Sequence, residues 1–409
     1  QCRNGEKLEY VSLKEEAEQA LIEDSVYYIP EKGIIEAKLP FILPPEKHLN
    51  PNRHIAMKVL CSQVTQANKD EQARLDIIAS HEKLRSHGHV CDATELDEEE
   101  YENLKVNPPG TYYIPWRAVH KHGSVSTPTR IVFDASAKTP QGESLNNILA
   151  KGTNTLANLN SKLLRFRLSA SGFSADIRMA YNAIKLHPSQ YKHQLYLWQE
   201  ELDPDNPVKT MVVKTVIYGV RPSGNQLTAG FSQLADFVEQ NLPEHLPGAK
   251  ALRDDSYVDD ILHPSPSHEE AVKTARSLEM VLSLAGMKVK GFTFPGSIPP
   301  EDVSTDGRTV GLIGHVWEPE PDIISPDIKP LFFGRIKRGK LPTLTEGNFT
   351  DALKENFTRR TVLSKVMAVY DPIGLLTAVT SRFKLDLHGL CKQENLDWDD
   401  KIPEKYLLT

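Results

Sequence analysis

The stretch "DDSYVDDIL" at residues 254–262 sets two adjacent carboxylates, Asp259 and Asp260, among Tyr, Val, Ile and Leu. Such neighbours are typical of a buried strand. Adjacent like charges cost free energy in a low-dielectric setting unless something compensates them. The pattern predicts a strand–turn–strand hairpin with both carboxylates at its tight turn. A divalent cation is the natural compensation, since Mg²⁺ prefers carboxylate oxygens at about 2.0–2.1 Å.

One acid pair is seldom enough to hold a metal ion, and the chain offers a further carboxylate. Asp176 ends the apolar stretch "GFSADI", 83 residues before Asp259, and it is the only acid between Glu143 and Glu200. Three carboxylates can hold two metal ions about 3.5–4 Å apart, which activates an attacking hydroxyl and stabilises a leaving phosphate. A solvated turn is the simpler explanation of an Asp-Asp pair alone, and the second strand is what favours a metal site.

Composition and charge bound the class of protein. With 409 residues, 39% of them hydrophobic, the chain is long enough for a well-buried core and two to four lobes. The formal net charge of −7 argues against a nucleic-acid-binding protein, but residues 112–198 carry eleven Lys and Arg against three acids, a local charge of +8. A basic stretch of this size suits a phosphate-rich partner, with an ordinary solvated surface as the alternative.

Cysteine use and hydropathy predict an intracellular protein without a membrane segment. The four cysteines are scattered and form no Cys-x-x-Cys pair, which indicates a reduced compartment and argues against a disulfide scaffold. No apolar run approaches the length of a membrane span, and no targeting signal is visible. The chain starts with Gln and ends at "KYLLT", so we expect it to be a fragment of a longer protein.

The residue pattern predicts an α+β fold. Residues 1–110 contain a capping box at Ser12 and Glu15 and a largely helical stretch over 52–86, and "NPPG" at 107–110 marks a boundary. Beyond it, short strands mix with helices without strict βα alternation. The predicted strands include "TRIVFD", "GFSADI", "AIKLH", "HQLYLWQ" and "MVVKTVIYGV". One predicted helix carries an apolar stripe at Leu227, Phe231, Leu234 and Val238, and "RRTVLSKVMAVYDPIGLL" is the strongest helical segment near the end.

Several ordered boxes resemble reverse transcriptases. "YVDD" resembles their motif C and "FSADIRMAYNAIKL" their motif A. More closely, nearly all of the chain resembles the polymerase portion of BEL/Pao-type retrotransposon polyproteins. The boxes that carry this resemblance are "YYIPWRAVHK", "TPTRIVFDASAKTPQGESLNNIL", "RFR", "VIYGVRPSGNQL", "GMKVKGFTFPG", "VGLIGHVW", "VLSKVMAVYDPIGLL" and "LDWDD".

The resemblance implies a right-hand polymerase. Its palm would be an antiparallel sheet packed on helices, with fingers and palm in residues 111–325. Residues 1–110 would be a helical and extended segment that braces the fingers, and 326–409 a thumb/connection-like segment truncated before RNase H. Such a fragment would polymerise without cleaving RNA.

The implied activity is that of an RNA-directed DNA polymerase of a retrotransposon. A primer 3′-hydroxyl would attack the α-phosphate of a deoxynucleoside triphosphate, with two Mg²⁺ ions, or Mn²⁺ in their place, as cofactor. The implied partners are an RNA and DNA template-primer, deoxynucleoside triphosphates and the rest of the polyprotein (protease, RNase H and integrase), with no membrane. The implied location is the cytoplasm, in virus-like particles.

The resemblance also implies roles for single residues. Asp176, Asp259 and Asp260 would be catalytic and bind both metal ions, with Asp260 assisting more than coordinating. Lys290, with Lys288 as its competitor, would protonate the departing pyrophosphate. The ring of Tyr181 would lie beneath the sugar, clash with a 2′-hydroxyl and so select deoxynucleotides.

Further residues would contact the nucleotide or the template-primer. Arg130 and, with less support, Lys121 would contact the triphosphate. Ser223 and Gly224 stand where retroviral relatives often have Gln-Gly, which leaves open the side chain that contacts the sugar. The residues assigned to nucleic-acid binding are Trp317, which is equally consistent with a core position, and Arg359 and Arg360.

Three alternatives stay open from the sequence. A degenerate or domesticated retroelement protein would bind nucleic acid without catalysis. An RNA-dependent RNA polymerase is disfavoured by Tyr181. The cluster of His81, His87, His89 and Cys91 suggests zinc, but its spacing fits no standard zinc finger.

Overall fold

The computed structural model describes residues 12–120, 129–154, 159–296, 310–333, 343–352, 354–403 and 406. Its α-helices are α1 (Leu13–Glu23), α2 (Pro45–His48), α3 (Arg53–Ala67), α4 (Glu71–Ser86), α5 (Glu98–Lys105), α6 (Leu159–Leu168), α7 (Ala180–Ala183), α8 (Ser223–Asn241), α9 (Leu246–Asp254), α10 (His268–Ser283), α11 (Pro330–Phe333), α12 (Glu346–Ala352), α13 (Arg359–Ala368) and α14 (Thr377–Gln393). The predicted capping box of Ser12 and Glu15 is confirmed at the start of α1, and the stretch over 52–86 is helical as predicted.

The strands are β1 (Val26–Ile29), β2 (Ile34–Ala37), β3 (Val90–Asp92), β4 (Trp116–His120), β5 (Thr129–Phe133), β6 (Ser171–Ile177), β7 (Lys185–Leu186), β8 (Leu195–Gln199), β9 (Val208–Val213), β10 (Ser256–Tyr257), β11 (Asp260–Ser265), β12 (Val289–Thr293), β13 (Val310–Leu312), β14 (His315–Glu318) and β15 (Ile323–Pro326). They form small, mostly antiparallel sheets, so the predicted α+β class is confirmed.

The central sheet has the strand order β10–β11–β6–β12, and every neighbouring pair is antiparallel. One face of β6 is covered by α8, α9 and α10, whose apolar side chains form a common core with it. The predicted stripe on α8 is confirmed, since all four of its members are buried. Hydrophobic burial of this kind fixes the register of β6, because a shift by one residue would turn its apolar side to solvent.

A second core joins the start of the chain to the strands that follow residue 110. The sheet β3–β9–β8 and the hairpin β4–β5 pack with α3 and α4 around the fully buried side chains of Trp116, Tyr196 and Trp198. Residues 39–104 therefore share a hydrophobic core with the region after residue 110.

Two predicted elements end earlier than the sequence pattern suggests. "MVVKTVIYGV" was predicted as one strand, but β9 ends at Val213 and the chain turns near Gly219, whose φ is +94°. "RRTVLSKVMAVYDPIGLL" was predicted as the strongest helical segment near the end, and its helix α13 ends at Ala368, shortly before Pro372. Proline lacks an amide donor and disfavours helix in the residue before it, which accounts for the second boundary.

The sheet β13–β14–β15 packs against α6 through Trp317 and Phe166, and α11–α14 follow it. Among the described residues, no helix is long and apolar enough to cross a membrane.

Candidate functional site

The acidic hairpin, residues 256–265, consists of β10, a two-residue turn and β11. Tyr257 lies opposite Asp260, which leaves Val258 and Asp259 as the turn. Val258 has φ of +59° whereas Asp259 does not have a positive φ, the pattern of a type II′ turn, which ordinarily has Gly at that first position. A β-branched residue there is strained, and strain of this kind is concentrated at functional sites.

The register of β6 brings Asp176 beside the acidic hairpin. Asp176 lies directly opposite Asp260, and the amide of Ile177 donates to the carbonyl oxygen of Asp259 over 2.8 Å. Directly opposed residues in an antiparallel pair place their side chains on the same face, with Cβ atoms about 4.5–5.5 Å apart. The structure therefore brings the backbones of Asp176, Asp259 and Asp260 together at one end of the central sheet.

Lys290 lies on the other side of Asp176, in a β-bulge. The register between β12 and β6 shifts between Val289 and Phe292, so Lys290 and Gly291 both stand against Asp176. The Nζ atom of Lys290 lies 2.7 Å from Oδ1 and 2.8 Å from Oδ2 of Asp176. Bulges re-aim side chains in this way, and here the ammonium compensates part of the charge of the acid cluster.

The donor chemistry of the three acids fits Mg²⁺, because carboxylate oxygens are its preferred ligands. The side chains are not arranged as a finished metal site: in the part of the chain that the structure describes, no three His, Cys, Asp or Glu residues stand close enough to hold an ion. A cation that binds Asp176 has to displace Lys290 from it.

Two tyrosines flank the acids. The rings of Tyr181, on α7, and Tyr218 have their centres 4.1 Å apart, and Tyr181 is buried while Tyr218 is about half exposed. Burial, and next the carboxylate of Asp259, raise the pKa of Tyr181 to about 12. Burial raises the pKa of Tyr218 as well, and the charges of Asp259 and Asp176 contribute. Tyr218 therefore lies within electrostatic reach of both acids.

Tyr218 was not among the residues predicted for the site, although the box "VIYGVRPSGNQL" contains it. The sequence signal that could have pointed to Tyr218 is the glycine after it. At Gly219 φ is +94°, and a Cβ would lie 2.7 Å from the carbonyl oxygen of Phe133, so the turn requires glycine. Asn146 holds this turn: its Nδ2 donates to the carbonyl of Gly219, and its Oδ1 accepts from the amide of Arg221, both over 2.8 Å. The turn that presents Tyr218 is thus fixed from both sides.

Ser223 and Gly224 open α8 close to these rings. Ser223 is buried, and its hydroxyl donates to the carbonyl of Ile217 over 2.8 Å. This bond uses the only donor of the hydroxyl, so the oxygen of Ser223 could only accept a hydrogen bond from a sugar, and that contact remains a prediction. A Cβ at Gly224 would lie 3.7 Å from the hydroxyl of Tyr181, so Gly224 lies next to the hydroxyl end of that side chain.

Arg130 lies on β5, and its positive charge acts to lower the pKa of Tyr218, which indicates that the guanidinium faces the same region. Lys121, the other residue predicted to contact the triphosphate, lies outside the described residues.

Residues 358–409 match the family model of the Pao retrotransposon-like RNaseH-like domain. This match supports a BEL/Pao retrotransposon origin for the chain. No curated protein matches the chain. The matched residues lie within the predicted thumb/connection-like segment, 326–409.

Both arginines assigned to nucleic-acid binding lie in this matched segment and have partners within it. Arg360 makes a bidentate ion pair with Asp399, over 2.7 Å and 3.0 Å. The guanidinium of Arg359 lies 4.2 Å from the ring centre of Trp398. The start of α13 is therefore fastened to the box "LDWDD", and nucleic-acid binding by these arginines remains a prediction.

Trp317 is a core residue. Its side chain is fully buried, its ring meets Phe166 edge to face at 5.3 Å, and its Nε1 donates to Asp322 over 2.9 Å. Of the two positions that the sequence left open, burial favours the core, because a fully buried ring has no surface to offer a nucleic acid.

Two of the three histidines between residues 81 and 91, His81 and His89, are buried, whereas His87 is exposed. His81 is hydrogen-bonded to the hydroxyl of Tyr196 over 2.9 Å and stacks on Trp198 at 3.7 Å. His89 is buried, and neither of its ring nitrogens has a hydrogen-bond partner among the described residues. Burial, with Lys185 and His87 nearby, lowers the pKa of His89 to about 4, so its ring is neutral near pH 7.

Proposed function

We propose that the chain is the RNA-directed DNA polymerase of a BEL/Pao-type retrotransposon. One observation carries the proposal: Asp176 lies directly opposite Asp260, and the backbone of Asp259 bonds to the residue after Asp176. Acids separated by 83 residues thus meet at one end of a buried sheet, next to two aromatic rings and a lysine.

Asp176, Asp259 and, in a supporting role, Asp260 would hold two Mg²⁺ ions. Bound there, the ions would activate the primer hydroxyl and stabilise charge on the leaving phosphate. Tyr181 and Tyr218 would form the surface beneath the incoming sugar. Because the ring of Tyr181 is buried and contacts the ring of Tyr218, it has little room to yield to a 2′-hydroxyl, which favours deoxynucleotides.

Two basic residues would act on the triphosphate. Arg130 would bind its oxygens, since a guanidinium makes bidentate contacts with phosphate. Lys290 is ion-paired with Asp176 in this structure. Once a cation occupies that carboxylate, the ammonium of Lys290 would be available to give a proton to pyrophosphate.

The fold maps onto a right-hand polymerase in this proposal. The central sheet with α8, α9 and α10 would be the palm, and the hairpin β4–β5 with the sheet β3–β9–β8 the fingers. The core shared by residues on either side of position 110 supports the idea that the first segment braces the fingers. Residues 326–409 would be the thumb/connection-like segment.

The proposed partners are an RNA or DNA template with its primer, deoxynucleoside triphosphates and the remainder of a retroelement polyprotein. The match to a retrotransposon domain supports a nucleic-acid and polyprotein context. A cytoplasmic location in virus-like particles belongs to the same proposal.

Primer extension on an RNA template tests the proposal, with deoxy- or ribonucleotides and with or without Mg²⁺. We expect Mg²⁺-dependent incorporation of deoxynucleotides, which Asp259→Asn abolishes while template-primer binding stays within about twofold, because Asn removes a metal ligand and not the fold. Asp205→Asn, at an exposed loop position, is the matched control and should keep wild-type activity. Equal activity of wild type and Asp259→Asn would refute the site.

A second candidate is a retroelement protein that binds nucleic acid without catalysis. The observation that favours it is the bidentate contact of Lys290 with Asp176, which occupies a predicted metal ligand. Salt-sensitive template binding without extension by the wild-type chain would support this candidate. Incorporation of ribonucleotides would indicate an RNA polymerase instead, and an RNA–DNA hybrid in the same assay reports any RNA cleavage.

A further inference from the structure

The base of the acidic hairpin lies at the edge of the central sheet. β10 has two residues and is the outer strand, bonded within the sheet to β11 alone. The carbonyl of Asp255 accepts from the amide of Leu262 over 3.0 Å and so faces β11. Because carbonyl directions alternate along a strand, the carbonyl of Ser256 faces away from the sheet, where an edge strand has no neighbouring strand to bond. Asp254 is the last residue of α9, and the last carbonyls of a helix have no partner within it.

Lys162, on α6, takes the place of that missing strand. Its Nζ donates to the carbonyl oxygens of both Asp254 and Ser256, each over 2.6 Å. The side chain is buried, with 8% of the residue exposed. Burial lowers the pKa of its ammonium, and the charges of Asp255 and Asp254 oppose that shift. A buried ammonium is costly unless its donors are satisfied, and these two carbonyls satisfy two of its three.

The side chain of Asp255 is held from the same helix and from the opposite strand. Asp255 is buried, with 4% exposed, and its Oδ2 lies 2.8 Å from Nδ1 of His263 on β11. Its Oδ1 lies 3.4 Å from Nη2 of Arg165, three residues after Lys162 on α6. The helix therefore holds both the backbone and the buried carboxylate at the base of the acidic hairpin.

We propose that Lys162 is a positioning residue that, together with Asp255, fixes the acidic hairpin so that Asp259 and Asp260 stand at Asp176. The catalytic part of this role rests on the proposed function. The turn begins two residues after Ser256 and includes the strained Val258, so its position depends on how firmly the short strand before it is anchored. The cation of Lys162 anchors that strand without touching the reacting groups.

Amide hydrogen exchange tests the anchoring without any need for activity. Lys162→Met keeps a side chain of similar length but removes the ammonium. We therefore expect the amide hydrogens of residues 256–262 to exchange about tenfold faster or more. The amides of β8 and β9, in the other core, should exchange at the wild-type rate. Lys250→Met, at an exposed position on α9, is the matched control and should change neither. Unchanged exchange in the hairpin, or an equal increase in both regions, would overturn the proposal.

Single-nucleotide extension then tests the consequence for chemistry. Lys162→Met should lower kcat about tenfold while the KM for the deoxynucleotide stays within about threefold, because the acids that bind metal move and the nucleotide surface does not. Asp255→Asn should show the same split, and Lys162→Arg, which keeps the charge and its donors, should restore part of kcat. A hairpin loosened without loss of kcat would overturn the positioning role. If the wild-type chain extends no primer, the proposed function fails, while the exchange experiment still decides whether Lys162 anchors the hairpin.

Discussion

The ammonium of Lys290 lies 2.7 Å and 2.8 Å from the two carboxylate oxygens of Asp176, in a β-bulge on the opposite side of β6 from the acidic hairpin. Asp176 also stands directly opposite Asp260, an arrangement in which two like charges destabilise a strand pair. Lysine thus supplies the positive charge at the site where a metal ion is proposed to bind. The two cations compete for the same oxygens.

This competition predicts that removing the lysine strengthens cation binding. Lys290→Met should raise the affinity for Mn²⁺ by up to about fivefold, the equivalent of a partly exposed ion pair of up to about 1 kcal/mol. Titration followed by electron paramagnetic resonance measures free Mn²⁺ directly and does not depend on turnover. Lys288→Met, two residues earlier and exposed, is the matched control and should leave the affinity unchanged. Weaker Mn²⁺ binding by Lys290→Met would contradict the competition.

The buried ring of Tyr181 predicts how the site selects its sugar. Tyr181→Ala should raise incorporation of ribonucleotides relative to deoxynucleotides by about tenfold or more, because it removes the surface against which a 2′-hydroxyl would clash. The ratio of kcat/KM for the two nucleotides measures the effect. Tyr181→Phe keeps the ring and should keep the wild-type ratio. If Tyr181→Ala keeps it as well, the ring is a core residue without a selective role.

Two helical glycines are predicted to have opposite effects on stability when replaced by alanine, because one lies in a close helix contact and the other in open space. At Gly248, on α9, a Cβ would lie 2.4 Å from the carbonyl carbon of Ser277, so Gly248→Ala should destabilise the fold by about 1–3 kcal/mol. At Gly389, on α14, a Cβ would meet nothing within 4 Å, so Gly389→Ala should stabilise it by up to about 1 kcal/mol. Urea unfolding followed by circular dichroism gives both free energies. Stabilisation by Gly248→Ala would contradict the packing of α9 on α10.

The buried histidines predict how the free energy of unfolding depends on pH. The pKa of His89 in the folded chain is lowered to about 4, below its ordinary value near 6.5, so between these values the unfolded chain binds more protons. The free energy of unfolding therefore has its full value above about pH 6.5 and decreases as the pH falls toward 4. Between pH 7 and 5 the loss that His89 causes is about 2 kcal/mol. His81 and His193, whose pKa values burial also lowers to about 4, act in the same direction.

His89→Leu isolates the share of this one residue. The variant should lose less stability than wild type between pH 7 and 5, as thermal unfolding at the two values will show, because it has no imidazole to protonate. His54→Leu, at an exposed position on α3, should retain the full wild-type dependence. An unchanged dependence in His89→Leu would mean that the ring is not buried as described.

The sequence was sufficient to predict the hairpin and its meeting with β6, and it failed where contacts depend on distant segments. Carboxylates among residues with high β propensity identify a strand end, and the ends of two apolar strands that both carry acids are expected to meet where a cation can compensate them. The contact of Lys290 with Asp176 depends on a bulge, which no local pattern signals. The importance of Tyr218 depends on a turn held by Asn146, far away in sequence. The burial of Ser223 is decided by how α8 packs, which no local pattern shows, and the short β9 ended where tertiary contacts outweighed β propensity.

The positive φ of Val258 lowers the thermal stability of the folded chain but helps to fix the positions of the two neighbouring acids. A residue that tolerates the left-handed region, such as Gly or Asn, would relax the turn and lower the free energy of the folded chain at this point. The same relaxation would allow the side chains of Asp259 and Asp260 to occupy a wider range of positions. Selection for heat tolerance should therefore replace Val258, and selection for synthesis should retain it, so the two pressures oppose each other at a single backbone angle.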